Sequence, residues 1–205
     1  MHKRVFLVGA FSLLVVGAMA GCGNSSSSGN GSAPGQPPAA VSNGASHVTG
    51  SHESGQVSAQ SVNLNLKVLT GTMAGKPGWP KIEPADVTLK ANSLVHVTIQ
   101  NYDDGAAPVP GNDNQVQGTV GGTITVDGKQ VSSISFDNVA HTITIPAIRL
   151  NVPIPARTAG EPYNTVRFSF KTPSTPQKLN WQCMAACGPG AMTTDGWMKG
   201  VWTIQ

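Results

Sequence analysis

From residue 61 onward, apolar side chains recur at every second position in short runs broken by Gly, Pro, Asn and Asp. A period of two residues builds half-buried strands, and a chain carrying little else is confined to sheet structures. In "SVNLNLKVLT" the buried stripe is Val62, Leu64, Leu66 and Val68. "DVTLKANSLVHVTIQNYD" predicts two strands broken at Ala91–Ser93; Val95, Val97 and Ile99 share the inner face, and His96 falls on the outer face with Thr98. "DDGAAPVPGNDNQ", residues 103–115, reads as a loop, and Asp127-Gly128 as a hairpin turn. In "VAHTITIP", Val139, His141, Ile143 and Ile145 share a face, so His141 points into the domain near one end of a sheet. "TVRFSFK" buries Val166, Phe168 and Phe170, and "KGVWTIQ" closes the chain as its last strand. Amphipathic segments long enough for a regular helix are lacking; only short helical pieces fit the connections. The expected class is all-β, a sandwich or barrel.

The first 60 residues lack this pattern. "MHKRVFLVGAFSLLVVGAMAGC" has a basic start, an apolar run from Val5 to Val16 and small residues before Cys22. The run is shorter than the ~20 residues a bilayer span needs, so it reads as an export signal. "AMAGC" resembles the lipobox of bacterial lipoproteins, which implies a signal peptide over 1–21, lipidation of Cys22 and anchorage on the extracytoplasmic face of the cell membrane. Residues 22–60 are rich in Gly, Ser and Pro and cannot bury enough surface to fold, so they read as a disordered tether; His47 and His52 lie in it as isolated side chains. The folded domain is expected over 61–205.

Charge excludes some functions. The formal net charge is +3, but without Lys3 and Arg4 in the signal segment eleven basic residues face ten acidic ones. There is no basic cluster interleaved with aromatics, so nucleic acid is not an expected partner. The folded part has no catalytic carboxylate pair and no Ser/His/Asp grouping, which argues against a hydrolase and for a non-enzyme.

The chemistry concentrates in "WQCMAACGPGAMTTDGWMKGVW", residues 181–202, which holds Cys183 and Cys187. Two thiols four apart can clamp a soft metal. They can equally close a disulfide outside the cytoplasm, worth about 2 kcal/mol for so small a loop. Gly188-Pro189-Gly190 turns the loop sharply.

A buried strand histidine followed, after a long gap, by a cysteine loop before the final strand resembles the cupredoxin order. "AHTITIPAIRLNVPIP" and "WQCMAACG" are similar to the copper domain of cytochrome c oxidase subunit II: His141, Pro146, Gln182, Cys183, Cys187 and Gly188 match that pattern, and Met198 in "GWMKGVW" matches its methionine. The second histidine is missing. A straight count puts Ala191 in its place and Thr194 in the methionine's; a four-residue insertion instead brings Met198 into register and sets Asp195 where the histidine belongs. Ala185 replaces the carboxylate residue between the cysteines.

The resemblance implies a cupredoxin-like Greek-key β-sandwich/barrel holding copper through His141, Cys183, Cys187 and Met198, with Met192 and Asp195 as alternative ligands. With one imidazole missing, it implies a mononuclear site more than an intact binuclear one. The function it implies is single-electron transfer near a respiratory chain, with a respiratory redox protein or oxidase as partner. Two alternatives stay open: a Cu(I) carrier for oxidase assembly, and a metal-free binding module with a Cys183–Cys187 disulfide. Trp181, Trp197 and Trp202 are expected to pack around the loop, Trp197 also offering an electron-entry surface.

Overall fold

The computed structural model describes residues 60–205. The signal segment, Cys22, His47 and His52 lie outside the described residues. Among the described residues no helix is long and apolar enough to cross a membrane.

In chain order the strands are β1 (Gln60–Leu69), β2 (Lys81–Glu83), β3 (Val87–Leu89), β4 (Ser93–Asn101), β5 (Ile124–Val126), β6 (Lys129–Val131), β7 (Val139–Ile145), β8 (Leu150–Pro155), β9 (Asn164–Lys171), β10 (Gln177–Gln182) and β11 (Lys199–Ile204), with one short helix, α1 (Pro189–Thr193), between the last two. They form a six-stranded sheet, β2-β1-β4-β9-β5-β6, and a five-stranded sheet, β3-β11-β10-β7-β8. The β1/β4 and β3/β11 pairs are parallel and the rest antiparallel. Strands distant in sequence therefore lie side by side, as in a Greek-key sandwich. The expected all-β class is what the chain adopts.

The period-two stripes become the interface between the sheets. Leu66, Val68, Val95, Val97, Ile99, Val166, Phe168 and Phe170 face inward from the first sheet, and Ile143, Ile145, Leu179, Trp181, Trp202 and Ile204 belong to the same core. Phe170 stacks on Trp202 across the sandwich at 5.6 Å between ring centroids. Each such side chain stabilises by roughly 1.5–3 kcal/mol when fully buried. His96 lies exposed on the outer face, bonded to Ser169 Oγ of the neighbouring strand at 2.8 Å. Asp127 and Gly128, both with positive φ, make the two-residue hairpin between β5 and β6.

Two features depart from the simple alternation. β8 carries Pro153 and Pro155, which suppress a strand signal in the sequence; it runs at the edge of its sheet, where a missing N–H costs no ladder bond. That edge is covered by residues 113–117, through paired bonds between Gln117 and Asn151 and from Asn151 Nδ2 to the Asp113 and Gln115 carbonyls. β7 is bulged between Val139 and His141, so the stripe expected to include Val139 is regular only from His141 onward. A bulge of this kind re-aims the residue beside it.

Gly200 tests how tightly β10 and β11 seat on the β2–β3 connection. A Cβ there would stand 2.5 Å from the Ala85 carbonyl oxygen and 2.7 Å from Trp181 Nε1, inside the 2.7 Å hydrogen bond that the indole donates to that carbonyl. Gly200→Ala should lower stability by roughly 1–3 kcal/mol, the usual cost of overpacking. Urea unfolding of the reduced, metal-free protein measures it.

Candidate metal centre

One pole of the sandwich gathers the end of β4, the start of β7, the end of β10 and the start of β11. Cys183 follows β10 directly, and its N–H donates to the Met198 carbonyl at 2.9 Å, extending the β10–β11 ladder by one step. The loop between them is thus pinched shut at its base. Two outside segments hold it from above. Ala186 N–H donates to the Pro108 carbonyl at 2.9 Å, and the Trp79 ring lies so close over Gly190 that no side chain fits there.

The bulged β7 supplies both a donor and a grip. His141 is fully buried, with Nδ1 4.0 Å from Cys183 Sγ. Cys183 Sγ lies 3.2 Å from Cys187 Sγ, and the two cysteines are not bridged. The ligand atoms of His141, Cys183 and Cys187 all fall within 4.8 Å of one another. Thr142 takes hold on either side of Cys183: its N–H points to Cys183 Sγ at 3.4 Å, and its hydroxyl oxygen accepts the Met184 N–H at 2.8 Å.

The remaining expected ligands divide. Met198 is fully buried and lies opposite Cys183 in the ladder. Met192 is half-buried on α1. Asp195 is exposed and paired with Lys199 at 2.9 Å, and it is not brought together with the two cysteines and His141. Ala191, where a straight count places the missing imidazole, is fully buried in the core. Ala185 is likewise buried, its carbonyl accepting the Cys187 N–H at 2.7 Å.

Asp103 was hidden in what the sequence shows only as a loop. Its Oδ2 lies 3.0 Å from His141 Nε2. Nothing in the local pattern announces a contact 38 residues apart; the only hint is an acidic pair directly after an apolar strand.

Charge follows from these neighbours. Burial alone would favour neutral imidazole, but the Asp103 carboxylate and the Cys183 sulfur outweigh it and push His141 up to about 9 from 6.5. For Asp103, burial works against the ionised form and the His141 hydrogen bond overcomes it, lowering its pKa. Burial likewise opposes ionising Cys183, yet hydrogen bonds from Cys187 and His141 hold it well below its ordinary 9.0. Cys187 is pushed far up, first by its bond to Cys183 and then by burial. The metal-free pole therefore holds one thiolate, one thiol, an imidazolium and a carboxylate.

The donor set fits a soft or borderline metal. Thiolate and imidazole together suit copper, and the three donors lie close enough that a small closing movement would bring them onto one ion.

No protein-family model matches the chain, and no curated protein matches it. Among solved structures it is similar to rusticyanin from Thiobacillus ferrooxidans, at 14% identity and a TM-score of 0.39 over 72% of this chain and 79% of that one. It is similar to auracyanin B at 15% identity and a TM-score of 0.36, over 70% of this chain and 88% of that one. A multicopper oxidase from Campylobacter jejuni matches at 12% identity and a TM-score of 0.38, over 71% of this chain but 30% of that one.

The charges give a pH signature for the reduced, metal-free protein. His141, whose pKa is raised, contributes stability that is complete below 6.5 and lost as pH climbs through about 9. Cys183, whose pKa is lowered, contributes stability that is complete above 9.0 and lost as pH falls through its folded value. Wherever the native state holds imidazolium and thiolate while the unfolded chain holds imidazole and thiol, both bind equal numbers of protons and the pair leaves stability flat. Cys183→Ala ends the cancellation and also removes the sulfur that helps raise His141, leaving Asp103 as the remaining support of the imidazolium. Its stability should fall as pH rises above 6.5, over a window narrower than that up to about 9, where the parent changes less. Urea unfolding at several pH values under reductant reads the difference.

Proposed function

We propose that this chain is a cupredoxin-type copper protein that carries single electrons, held at the extracytoplasmic face of the membrane through a lipidated Cys22. The observation that carries the proposal is the convergence of His141 Nδ1 and the Cys183 and Cys187 sulfurs within 4.8 Å at a buried pole. Copper, when bound, supplies one-electron redox chemistry. The residues supply position. Cys183 is held from β7 by the Thr142 N–H and from β11 by the Met198 carbonyl. His141 is fixed by its bulged strand and by Asp103. Met198 is the proposed fourth donor, and Met192 its competitor. Full burial of His141 and Cys183 excludes water and keeps the donors in place through a change of oxidation state. That rigidity suits electron exchange with a respiratory redox protein or oxidase, the proposed partner class, and a mononuclear site suits a loop with one imidazole fewer.

One observation favours a second reading, a Cu(I) carrier. Cys187 is only half-buried, so a ligand from another protein could approach the metal from its side. The two readings part in one experiment. Anaerobic Cu(I) loading followed by oxidation should give an intense visible thiolate-to-copper band and a reversible one-electron wave. Tight Cu(I) binding without a reversible wave assigns the carrier role. Failure to retain copper in either state rejects both. Within the electron-carrier reading, His141→Ala should weaken copper binding by more than about tenfold, a loss at least as large as removing a hydrogen-bond partner of a ligand produces. Met198→Leu, nearly equal in volume, should shift the spectrum or potential while leaving metal-free stability within about 1.5 kcal/mol. An unshifted spectrum moves the fourth-ligand role to Met192.

A further inference from the structure

Asp103 is held more firmly than its place in a Gly- and Pro-rich loop suggests. Its N–H donates to Asn101 Oδ1 at 3.1 Å, and its carbonyl accepts from Asn101 Nδ2 at 2.9 Å and from the Arg157 N–H at 2.8 Å. Asn101 is itself fully buried and anchored to the Pro155 carbonyl at 2.8 Å. The two carboxylate oxygens then divide their work. Oδ1 accepts the Gly105 N–H at 3.0 Å, and Oδ2 faces His141 Nε2 at 3.0 Å.

We infer that Asp103 is the positioning residue of the metal centre, selecting the imidazole tautomer that leaves His141 Nδ1 free to bind metal. This rests on the copper reading of the same site. A neutral imidazole carries one ring proton, and a carboxylate at Nε2 takes it there, so the Nδ1 lone pair is directed toward Cys183. Without that acceptor, the proton would compete for Nδ1 beside the sulfur. Partners of this kind orient the ring and raise its basicity, and losing one costs about 10- to 100-fold in metal affinity.

The division between the two oxygens makes the idea sharply testable. In Asp103→Asn the side-chain oxygen must stay on the Gly105 N–H, because two N–H groups cannot face each other there. The new NH2 then turns to His141 Nε2, which must accept, and the ring proton moves to Nδ1. An isosteric change thus inverts the tautomer. Were Asp103 only packing the loop, Asn would be close to wild type and Ala would be the damaging substitution.

The experiment is competition for Cu(I) between the full chain and a chromophoric chelator under anaerobic conditions. It compares wild type, Asp103→Asn, Asp103→Ala, His141→Ala and the Asp103→Asn/His141→Ala double variant, with circular dichroism of each metal-free protein as the check on folding. The expected result is a loss of about 10- to 100-fold for Asp103→Asn, at least as large as for Asp103→Ala, and no further loss when Asp103→Asn is added to His141→Ala. If Asp103→Ala fails to fold, the isosteric variant and the double variant still decide. Wild-type binding with Asp103→Asn within about twofold of it overturns the inference and leaves the copper reading intact, as does an undiminished Asp103→Asn effect in the His141→Ala background. If wild type retains no Cu(I), the copper reading fails and this inference goes with it.

Discussion

A fully buried imidazole at the end of a β-sandwich is stable only if its polar atoms are met, and here the 3.0 Å contact between His141 Nε2 and Asp103 meets the far one. The rest of the pole depends on that contact. It lets a polar side chain replace an apolar one in the β7 stripe without leaving an orphan group, and it turns Nδ1 to the thiols. It also ties the 103–110 segment down over the cysteine loop, where Pro108 receives the Ala186 N–H. Charge then alternates along a line of carboxylate, imidazolium and thiolate. Each member is stabilised by its neighbour in a region where an isolated charge would cost several kcal/mol.

The sandwich supplies what that line needs from below. β10 and β11 run side by side from Gln177↔Ile204 to Gln182↔Lys199, and the Cys183–Met198 bond continues them into the loop. A buried hydroxyl and amide chain runs from Thr142 through Thr144 to Asn151, and from there to the segment that covers edge strand β8. The polar pole is thus bonded to strands whose inner faces are buried, so loop movement is opposed by the packing of the whole sandwich.

How much of this was legible in the sequence depends on the range of each signal. Period-two alternation is local, and it placed β1, β4 and β9 with their inner faces and β11 as the closing strand. The cysteine pair and the inward His141 were also legible, because each is a matter of spacing along one strand or one loop. The prolines of β8 hid an edge strand, since the same residue that weakens a central strand is harmless at an edge. Asp103 was illegible for a different reason. Its role exists only once two segments far apart in sequence meet, and a Gly- and Pro-rich loop carries no period from which to foresee the meeting. The bulge at the start of β7 escaped likewise, because it is a property of the pairing with β8 and not of β7 alone.

The two loop positions at which the sequence comparison sets a second imidazole are both otherwise engaged. Ala191 sits fully buried on α1, and its carbonyl accepts the Met198 N–H at 3.2 Å. A histidine there would need space that the surrounding core already fills, so the position could not recover a ligand by substitution alone. The alternative register offers Asp195, but that carboxylate is turned to Lys199 and solvent. The loop builds a short helix whose Gly190 lies under Trp79 and whose Ala191 belongs to the hydrophobic core beside Cys183. The group is bounded by these apolar contacts on that side and by the carboxylate-backed histidine on the other. The two sulfurs and the His141 imidazole are the donor groups that the strands and the loop bring together.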